Sequence, residues 1–415
     1  MLFVYYLMIF VFSNKKKEIN TMLTQITVRN FKSINNQEFF PGLMNVFIGA
    51  NGSGKSNILE AIGVLSAAAS GIVDDESLQR RGVRPGTPRL YKSAFKNKRI
   101  PPHIFFEATN NQAKYSVRLN NSLENTASSW QYKAEELIYD GEIVISRTSH
   151  QDQKNKRQGY AALKLVDMQE NSPCAVLLNI LQNYAIYYPN TPVLRGISPD
   201  LQTRLPVGLT GGRLADAIKE LQTLISTDEF IEDAFDDILS LIDWTISFDT
   251  TSNAETILSP TVARSKNIIR FKDRFMKSTF NKISAYDASE GVLYILFCSV
   301  LALSPNTPKC FAIDNLDQAL NPRLILKLTQ LLCKWFTQKE RRSQLFFTAH
   351  NPAVLDGLNL IDERIRLFTV ERNNQGHTEI NRITMTKELI ELSNEKGWPL
   401  SRLWLMGHLG GVPNV

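Results

Sequence analysis

Residues 45–56 read Asn45-Val46-Phe47-Ile48-Gly49-Ala50-Asn51-Gly52-Ser53-Gly54-Lys55-Ser56. A short apolar stretch runs into a glycine-rich turn that closes on Gly-Lys-Ser. Beyond it, apolar residues at 58, 62, 65 and 69 recur at the spacing of one helix face. Strand, glycine loop and helix in this order make a phosphate-binding loop. The glycines let backbone N–H groups turn inward onto phosphate oxygens, and the helix start adds the positive end of its dipole. In such a loop Lys55 reaches the β- and γ-phosphates and the Ser56 hydroxyl ligates Mg²⁺. The expected cradle comprises Gly49, Asn51, Gly52, Ser53, Gly54, Lys55, Ser56 and Asn57.

Three further stretches follow in order. Asp287-Ala288-Ser289-Glu290-Gly291 opens a strongly apolar helix over Val292–Leu303. Ser289 is a natural N-cap, and the free N–H groups behind it suit an anion. Cys310-Phe311-Ala312-Ile313-Asp314 reads as a buried strand ending in a carboxylate placed to hold Mg²⁺, a Walker B pattern. Leu345-Phe346-Phe347-Thr348-Ala349-His350 is a second buried strand ending in histidine. Each stretch has a plain structural reading on its own: a helix cap, a strand ending in Asp, a packed histidine. Their order after the loop gives them weight.

Together the four stations resemble the ABC-type ATPase heads of the RecF, SMC and OLD families. The opening run Ile26–Ile34 is similar to the first strand and turn of those heads. The resemblance covers roughly residues 23–70 and 283–370 and implies an α/β fold: a P-loop ATPase head with a flanking antiparallel sheet and an inserted helical lobe. It implies ATP and Mg²⁺ as ligands, Ser56 and Asp314 on the metal, and His350 on the γ-phosphate. It also implies that Ser289 and Gly291 act in trans, on nucleotide held by a second copy, so that the ATP-bound state is a dimer. Leu209-Thr210-Gly211-Gly212-Arg213 is superficially closer to that family's signature, but no apolar strand ending in Asp follows it closely. Ser289 is the favoured signature, and the Gly-Gly is then a loop before a helix.

The sequence departs from the family after Asp314. Where such heads carry a glutamate that polarises the attacking water, this chain has Asn315. A positioned general base is worth roughly 10²–10⁴ in rate, and an amide cannot accept the proton. Slow turnover with ATP as a clamp is one reading. Water orientation by Asp317 or His350 is another, and an alignment shifted by a residue or two is a third. Gln79 is a weak candidate for the family's metal-sensing glutamine.

Residues 103–147 alternate and predict antiparallel strands. Helices are expected near 173–182, 213–225 and 228–242. The division expected is 1–21 as an extension, 22–150 and 266–415 as the two halves of the head, and 151–265 as an inserted lid. Residues 1–12 are apolar or tyrosine, with Lys15, Lys16 and Lys17 behind them. That run is short for a membrane span and carries its charge on the wrong side for a signal peptide. A translation start at Met22, a membrane-surface anchor and an extra strand all fit it. No sustained heptad supports a coiled-coil arm, and the tail after Thr369 lacks the length and the Asp-x-Asp of a Toprim nuclease.

The 415 residues are 43% apolar and 21% charged, which excludes a disordered or fibrous chain. Cys174, Cys298, Cys310 and Cys333 form no CxxC pair, so no disulfide or zinc framework is expected and the cytoplasm is the expected compartment. The net charge is +6, and Lys15, Lys16, Lys17 and Glu18 supply +2 of it. Two local clusters, Lys96-Asn-Lys98-Arg99 and Lys154-Asn-Lys156-Arg157, are candidates for a polyanion. Three functions compete. An ATPase switch, of the kind the family contributes to bacterial anti-phage systems, would dimerise on nucleotide and control a separate effector such as a nuclease. A RecF-like ATPase would bind DNA in repair. A non-catalytic scaffold would recruit partners when ATP is bound.

Overall fold

The computed structural model describes residues 22–121, 130–147, 161–165, 169, 172–252, 257–258, 267–338 and 343–411. The residues at 1–21 and the basic cluster at 154–157 lie outside these. A six-stranded sheet organises the rest. Its order is β15 (Thr378–Ile383), β14 (Ile365–Arg372), β3 (Met44–Ile48), β13 (Gln344–Ala349), β12 (Cys310–Ile313) and β8 (Ile186–Tyr187). All neighbours run parallel except β15, which pairs antiparallel on one edge. The three central strands are buried at every position, as expected of parallel strands covered on both faces.

Alternation along these strands divides the core in two. Met44, Val46 and Ile48, with Phe311, Ile313, Leu345 and Phe347, face one cluster. It is covered by α5 (Leu214–Gln222), α6 (Glu229–Leu241), α7 (Glu290–Leu303) and α8 (Pro322–Gln338). The helix α7 is apolar on almost every side because it packs between the sheet and the other three. On the opposite face Phe47 stacks on Phe368 with ring centroids 5.2 Å apart and on Phe346 at 6.4 Å. These rings join a second cluster around α1 (Lys55–Ala69) and α3 (Pro173–Gln182).

A second six-stranded sheet, antiparallel throughout, closes over α1. Its order is β2 (Ile34–Phe39), β1 (Gln25–Phe31), β4 (Ile104–Thr109), β5 (Ala113–Asn120), β6 (Gln131–Tyr139) and β7 (Glu142–Arg147). The helix is therefore sandwiched between two sheets, and its burial extends well beyond the one face that the spacing indicates.

The segment between the two halves of the head is woven into both cores. It supplies α3 against α1, the edge strand β8, and α5 and α6 against α7. It also supplies β9 (Thr245–Thr251), which joins β10 (Ile268–Asp273) and β11 (Lys282–Ser284) in a third, three-stranded sheet. Short helices α2 (Asp75–Gln79), α4 (Thr191–Leu194) and α9 (Ala353–Asp356) line the loops. The chain closes on α10 (Lys387–Lys396) and α11 (Leu400–Leu405), where Leu403, Trp404 and Leu409 are buried and Leu405 and Met406 are exposed. The four cysteines are buried, and no helix among the described residues is long and apolar enough to cross a membrane.

Candidate functional site

The loop after β3 is held in shape from outside. Gly54 caps α1 with φ 110°, a left-handed conformation that favours glycine. A Cβ there would lie 2.2 Å from Thr378 Oγ1 and 2.9 Å from Ser33 Oγ. The same two hydroxyls brace the loop. Thr378 Oγ1 lies 2.8 Å from the Ser53 carbonyl and 2.7 Å from Ser33 Oγ, and Asn57 Nδ2 donates to Ser33 at 2.7 Å. Arg372 Nε donates to the Gly52 carbonyl at 3.1 Å. Asn57 is thus a brace on the loop, and Asn51 and Gly52 form its exposed tip.

Three features of the loop and the helix start call for an anion. The first-turn N–H groups of α1 have no intrahelical partner, and Ser53 Oγ is buried without a hydrogen-bond partner among the described residues. Lys55 is the third. Its ammonium is folded back onto the carbonyls of Gly49 (2.7 Å) and Ala50 (3.0 Å). Burial pushes its pKa down to about 8, against the opposing pull of Asp314 and Asp317. Triphosphate oxygens would satisfy all three features.

The metal-binding candidates meet at the ends of β3 and β12. Ser56 Oγ donates to Asp314 Oδ1 at 3.0 Å. Thr348, at the end of β13, donates to the same oxygen at 2.6 Å and accepts from the Asn315 backbone N–H at 2.8 Å. One hydroxyl and one carboxylate are a suitable protein contribution to Mg²⁺, which takes its remaining ligands from water and phosphate. Among the described residues no three His, Cys, Asp or Glu side chains gather into an all-protein cage. The donor set therefore fits a nucleotide-borne Mg²⁺.

Asn315 has φ 56°, a left-handed conformation that asparagine tolerates better than most residues. Its Oδ1 lies 3.1 Å from His350 Nε2. Burial and the Lys55 charge lower the His350 pKa, outweighing the acidic Asp317 and Asp314. The ring is therefore neutral near pH 7 and donates from Nε2 to the amide oxygen. Asp317 braces the same corner: one carboxylate oxygen accepts the backbone N–H groups of His350 (2.8 Å) and Asn351 (2.5 Å). That oxygen is committed to positioning His350.

A cavity of about 570 Å³ opens beside these groups, lined by Ser56, Glu60, Gln79, Arg84, Asp314 and Asn315 among others. Gln79 thus stands at the site. Arg84, which the sequence did not single out, stands there too, held by Nε on Glu60 at 2.6 Å. Glu60 is buried on α1 and also receives Lys32. A larger groove of about 1100 Å³, lined by Phe40, Asn111 and Arg366, holds none of these residues.

Ser289 and Gly291 do not line the cavity. Ser289 occupies the N-cap position of α7. Arg195 Nη2 donates to the Ala288 carbonyl at 3.2 Å, and Thr191 donates to the Glu290 carboxylate. A Cβ on Gly291 would lie 3.1 Å from the Ala319 carbonyl, so the helix start packs against the loop that follows Asp314. The competing stretch is arranged differently. The backbone N–H groups of Thr210 and Gly212 both donate to Asp200 Oδ2 at 3.1 Å. The chain's own carboxylate already occupies that anion cradle.

No curated protein matches the chain. Among solved structures, the SMC head bound to the C-terminal winged-helix domain of ScpA aligns with a TM-score of 0.53 at 13% identity, covering 89% of this chain and 99% of that one. The SMC head from Thermotoga maritima aligns at 0.42 and 14% identity, covering 88% and 99%. The Pyrococcus furiosus SMC head with an extended coiled coil, bound to the C-terminal domain of ScpA, aligns at 0.49 and 11%, covering 90% and 99%. The fold is that of an α/β P-loop ATPase head. Residues 44–172 and 176–356 match the family described as "AAA domain, putative AbiEii toxin, Type IV TA system", and the chain belongs to that family of AAA-domain ATPases.

Proposed function

We propose that the protein is an ATP-binding switch that turns over slowly, closes as a dimer around nucleotide and controls a separate effector, in the manner of a bacterial anti-phage system. The observation that carries this reading is the corner where Ser56 meets Asp314 at 3.0 Å while Asn315 follows in the general-base position. The corner can bind a metal–nucleotide but lacks the carboxylate that would hurry its hydrolysis.

In this reading the Gly49–Ser56 loop receives the phosphates, and Lys55 leaves the Gly49 and Ala50 carbonyls to meet them. Ser56 and Asp314 would hold a Mg²⁺, which would supply charge neutralisation at the phosphates. His350 holds the amide of Asn315. Ser289 and Gly291, which do not line their own chain's cavity, would cap the nucleotide of a second copy. The two halves of the head, residues 22–150 and 266–415, come together on one sheet, with residues 151–265 inserted between them. The likeness to a head crystallised with ScpA is in keeping with a partner protein as the output.

The test is ATP turnover and binding by the wild-type chain, Lys55→Ala and Asn315→Glu. The reading expects tight binding with slow turnover, loss of binding in Lys55→Ala and faster turnover in Asn315→Glu. A robust wild-type rate that Asn315→Glu abolishes would overturn the clamp. Unchanged binding in Lys55→Ala would overturn the nucleotide site itself.

A further inference from the structure

A second cavity adjoins the nucleotide site along the β8 edge of the parallel sheet. Its volume is about 610 Å³, and Arg80, Asn183, Gln202, Thr203, Arg204 and Lys309 are among its lining residues. Three cations line it and no carboxylate does. Arg80 is paired with Glu76, four residues earlier. Among the described residues Arg204 and Lys309 form no ion pair. Two more acids lie near the rim and are committed elsewhere. Glu220 accepts from Asn306 Nδ2 at 3.3 Å. Asp200 accepts the Gln202 N–H on one oxygen and the Thr210 and Gly212 N–H groups on the other.

Arg204 is half-buried and anchored on backbone. Its Nη1 donates to the Arg80 carbonyl at 3.1 Å and its Nη2 to the Asn183 carbonyl at 2.6 Å. A guanidinium carries five N–H groups, and these two carbonyls are its only acceptors among the described residues. Burial lowers its pKa. Burial, and then the Arg204 charge, lower that of the neighbouring Arg81 to about 10. Both shifts mark positive charge held without an anion. Uncharged groups with spare capacity stand around these cations. The side chains of Gln202 and Thr203, and Asn183 Oδ1, make no hydrogen bond to protein among the described residues. No aromatic side chain lines the cavity, so stacking has no part in what it holds. Two unpaired cations suit a dianionic phosphate, and amides and a hydroxyl beside them suit the hydroxyls of a sugar.

The strap of residues 201–205 joins this cavity to the nucleotide cavity. Leu201 and Gln202 line the nucleotide cavity, and Gln202 to Leu205 line this one. The strap is also tied to the metal corner. The Tyr187 hydroxyl donates to the Leu205 carbonyl at 2.5 Å, and the Asp314 N–H donates to the Tyr187 carbonyl at 2.9 Å. On another wall, consecutive residues serve the two cavities, Gln79 the nucleotide's and Arg80 this one. We propose that this cavity binds a small sugar phosphate, its phosphate on Arg204 and Lys309, and that its occupancy tunes the nucleotide site. A phosphate that draws on Arg204 shifts Leu205 and Arg80, and through them the residues beside Asp314 and Gln79. The tuning rests on the nucleotide reading; the binding site does not.

The probe is ribose 5-phosphate, titrated by calorimetry into the full chain carrying Lys55→Ala, so that the phosphate loop does not contribute. Saturable binding is expected. Arg204→Gln and Lys309→Gln in that background should each weaken it by about tenfold or more, the loss of one charge-assisted contact. Lys309 is exposed, so its variant reads the contact where folding is not at stake, and a thermal melt reports that both variants are folded. Absence of binding would overturn the proposal. So would affinity unchanged in both variants, or citrate binding as tightly as ribose 5-phosphate, which would mark a site for any compact anion. With Lys55 intact, saturating ribose 5-phosphate should shift the affinity for a fluorescent ATP analogue by roughly fivefold or more, and Lys309→Gln should remove that shift. An unchanged ATP affinity would overturn the tuning. The first titration involves no nucleotide, so failure of the nucleotide reading and failure of this site are read separately.

Discussion

Ser56 and Asp314 are 258 residues apart in sequence, yet their side chains meet at 3.0 Å. The contact joins the start of α1 to the end of β12 across β13, the strand inserted between the two. A serine hydroxyl and a carboxylate held this way leave a place for one divalent cation shared with phosphate. Asp314→Asn keeps the shape and the hydrogen bond from Ser56 but removes the charge. Nucleotide binding by this variant should become insensitive to Mg²⁺, and turnover should fall by at least about 10². Titration of a fluorescent ATP analogue with Mg²⁺ and with EDTA would check it. A variant that still responds fully to Mg²⁺ would remove Asp314 from the metal site.

Asn315→Glu tests the neighbouring position. A carboxylate there could accept a proton from the attacking water, and turnover should rise by roughly 10²–10⁴. Asn315 has φ 56°, so glutamate should cost about 1 kcal/mol of stability through its less tolerant backbone. Steady-state phosphate release, alongside a thermal melt, separates the two effects. An unchanged rate would mean that the general base is not the limiting element.

Lys55 gives the site a pH dependence. Its pKa in the nucleotide-free fold is about 8. Phosphates would hold the ammonium charged and raise that value. The sign follows from linkage. Below pH about 8 the free protein is already protonated, and affinity should be flat. Above it, binding must take up a proton, and affinity should fall by up to tenfold for each further pH unit until the bound-state pKa is reached. Calorimetry at pH about 9 in buffers of different ionisation enthalpy should register the proton uptake. Equal affinity at pH about 7 and about 9.5 would show that Lys55 does not contact the ligand.

Thr348 is a residue whose part only the folded chain reveals. Its hydroxyl donates to Asp314 Oδ1 and accepts the Asn315 N–H. Thr348→Val is nearly isosteric and strands that half-buried N–H, so it should cost about 1 kcal/mol. It should also loosen Asp314 and weaken Mg²⁺-dependent binding. Chemical denaturation and the Mg²⁺ titration read the two losses separately.

The sequence makes the nucleotide loop and the central strands legible for a physical reason. Parallel strands covered on both faces are continuous apolar runs, and β3, β12 and β13 stand out for that reason alone. Each site residue on them lies where such a run stops. The pieces that escape notice depend on pairing. β8 is two residues long and is a strand only because β12 lies beside it. Thr348 looks like one more small residue in an apolar run until β12 and β13 are in register. Arg84 acquires a direction only from Glu60, which is far from it in sequence. The glycines at 211 and 212 look like a signature until Asp200 is found already bonded to the N–H groups of Thr210 and Gly212.

The placement of Ser289 carries the most specific expectation. It caps α7 without lining its own chain's cavity, the placement expected of a residue that reaches the nucleotide of another copy. Ser289→Arg should therefore leave ATP binding to the monomer intact while abolishing ATP-dependent dimerisation. Lys55→Ala should abolish both. Mixed together, the two variants can form dimers in which one composite site has an intact loop facing an intact serine. The other site in such a dimer lacks both. Neither variant pairs with itself, so the dimers that form in an equal mixture are mixed, each with one site of two, and activity should recover to at most roughly half of wild type. Light scattering and phosphate release on the mixture would read it. Recovery requires that the serine act across the interface. If each variant is dead alone and the mixture is equally dead, Ser289 does not act in trans.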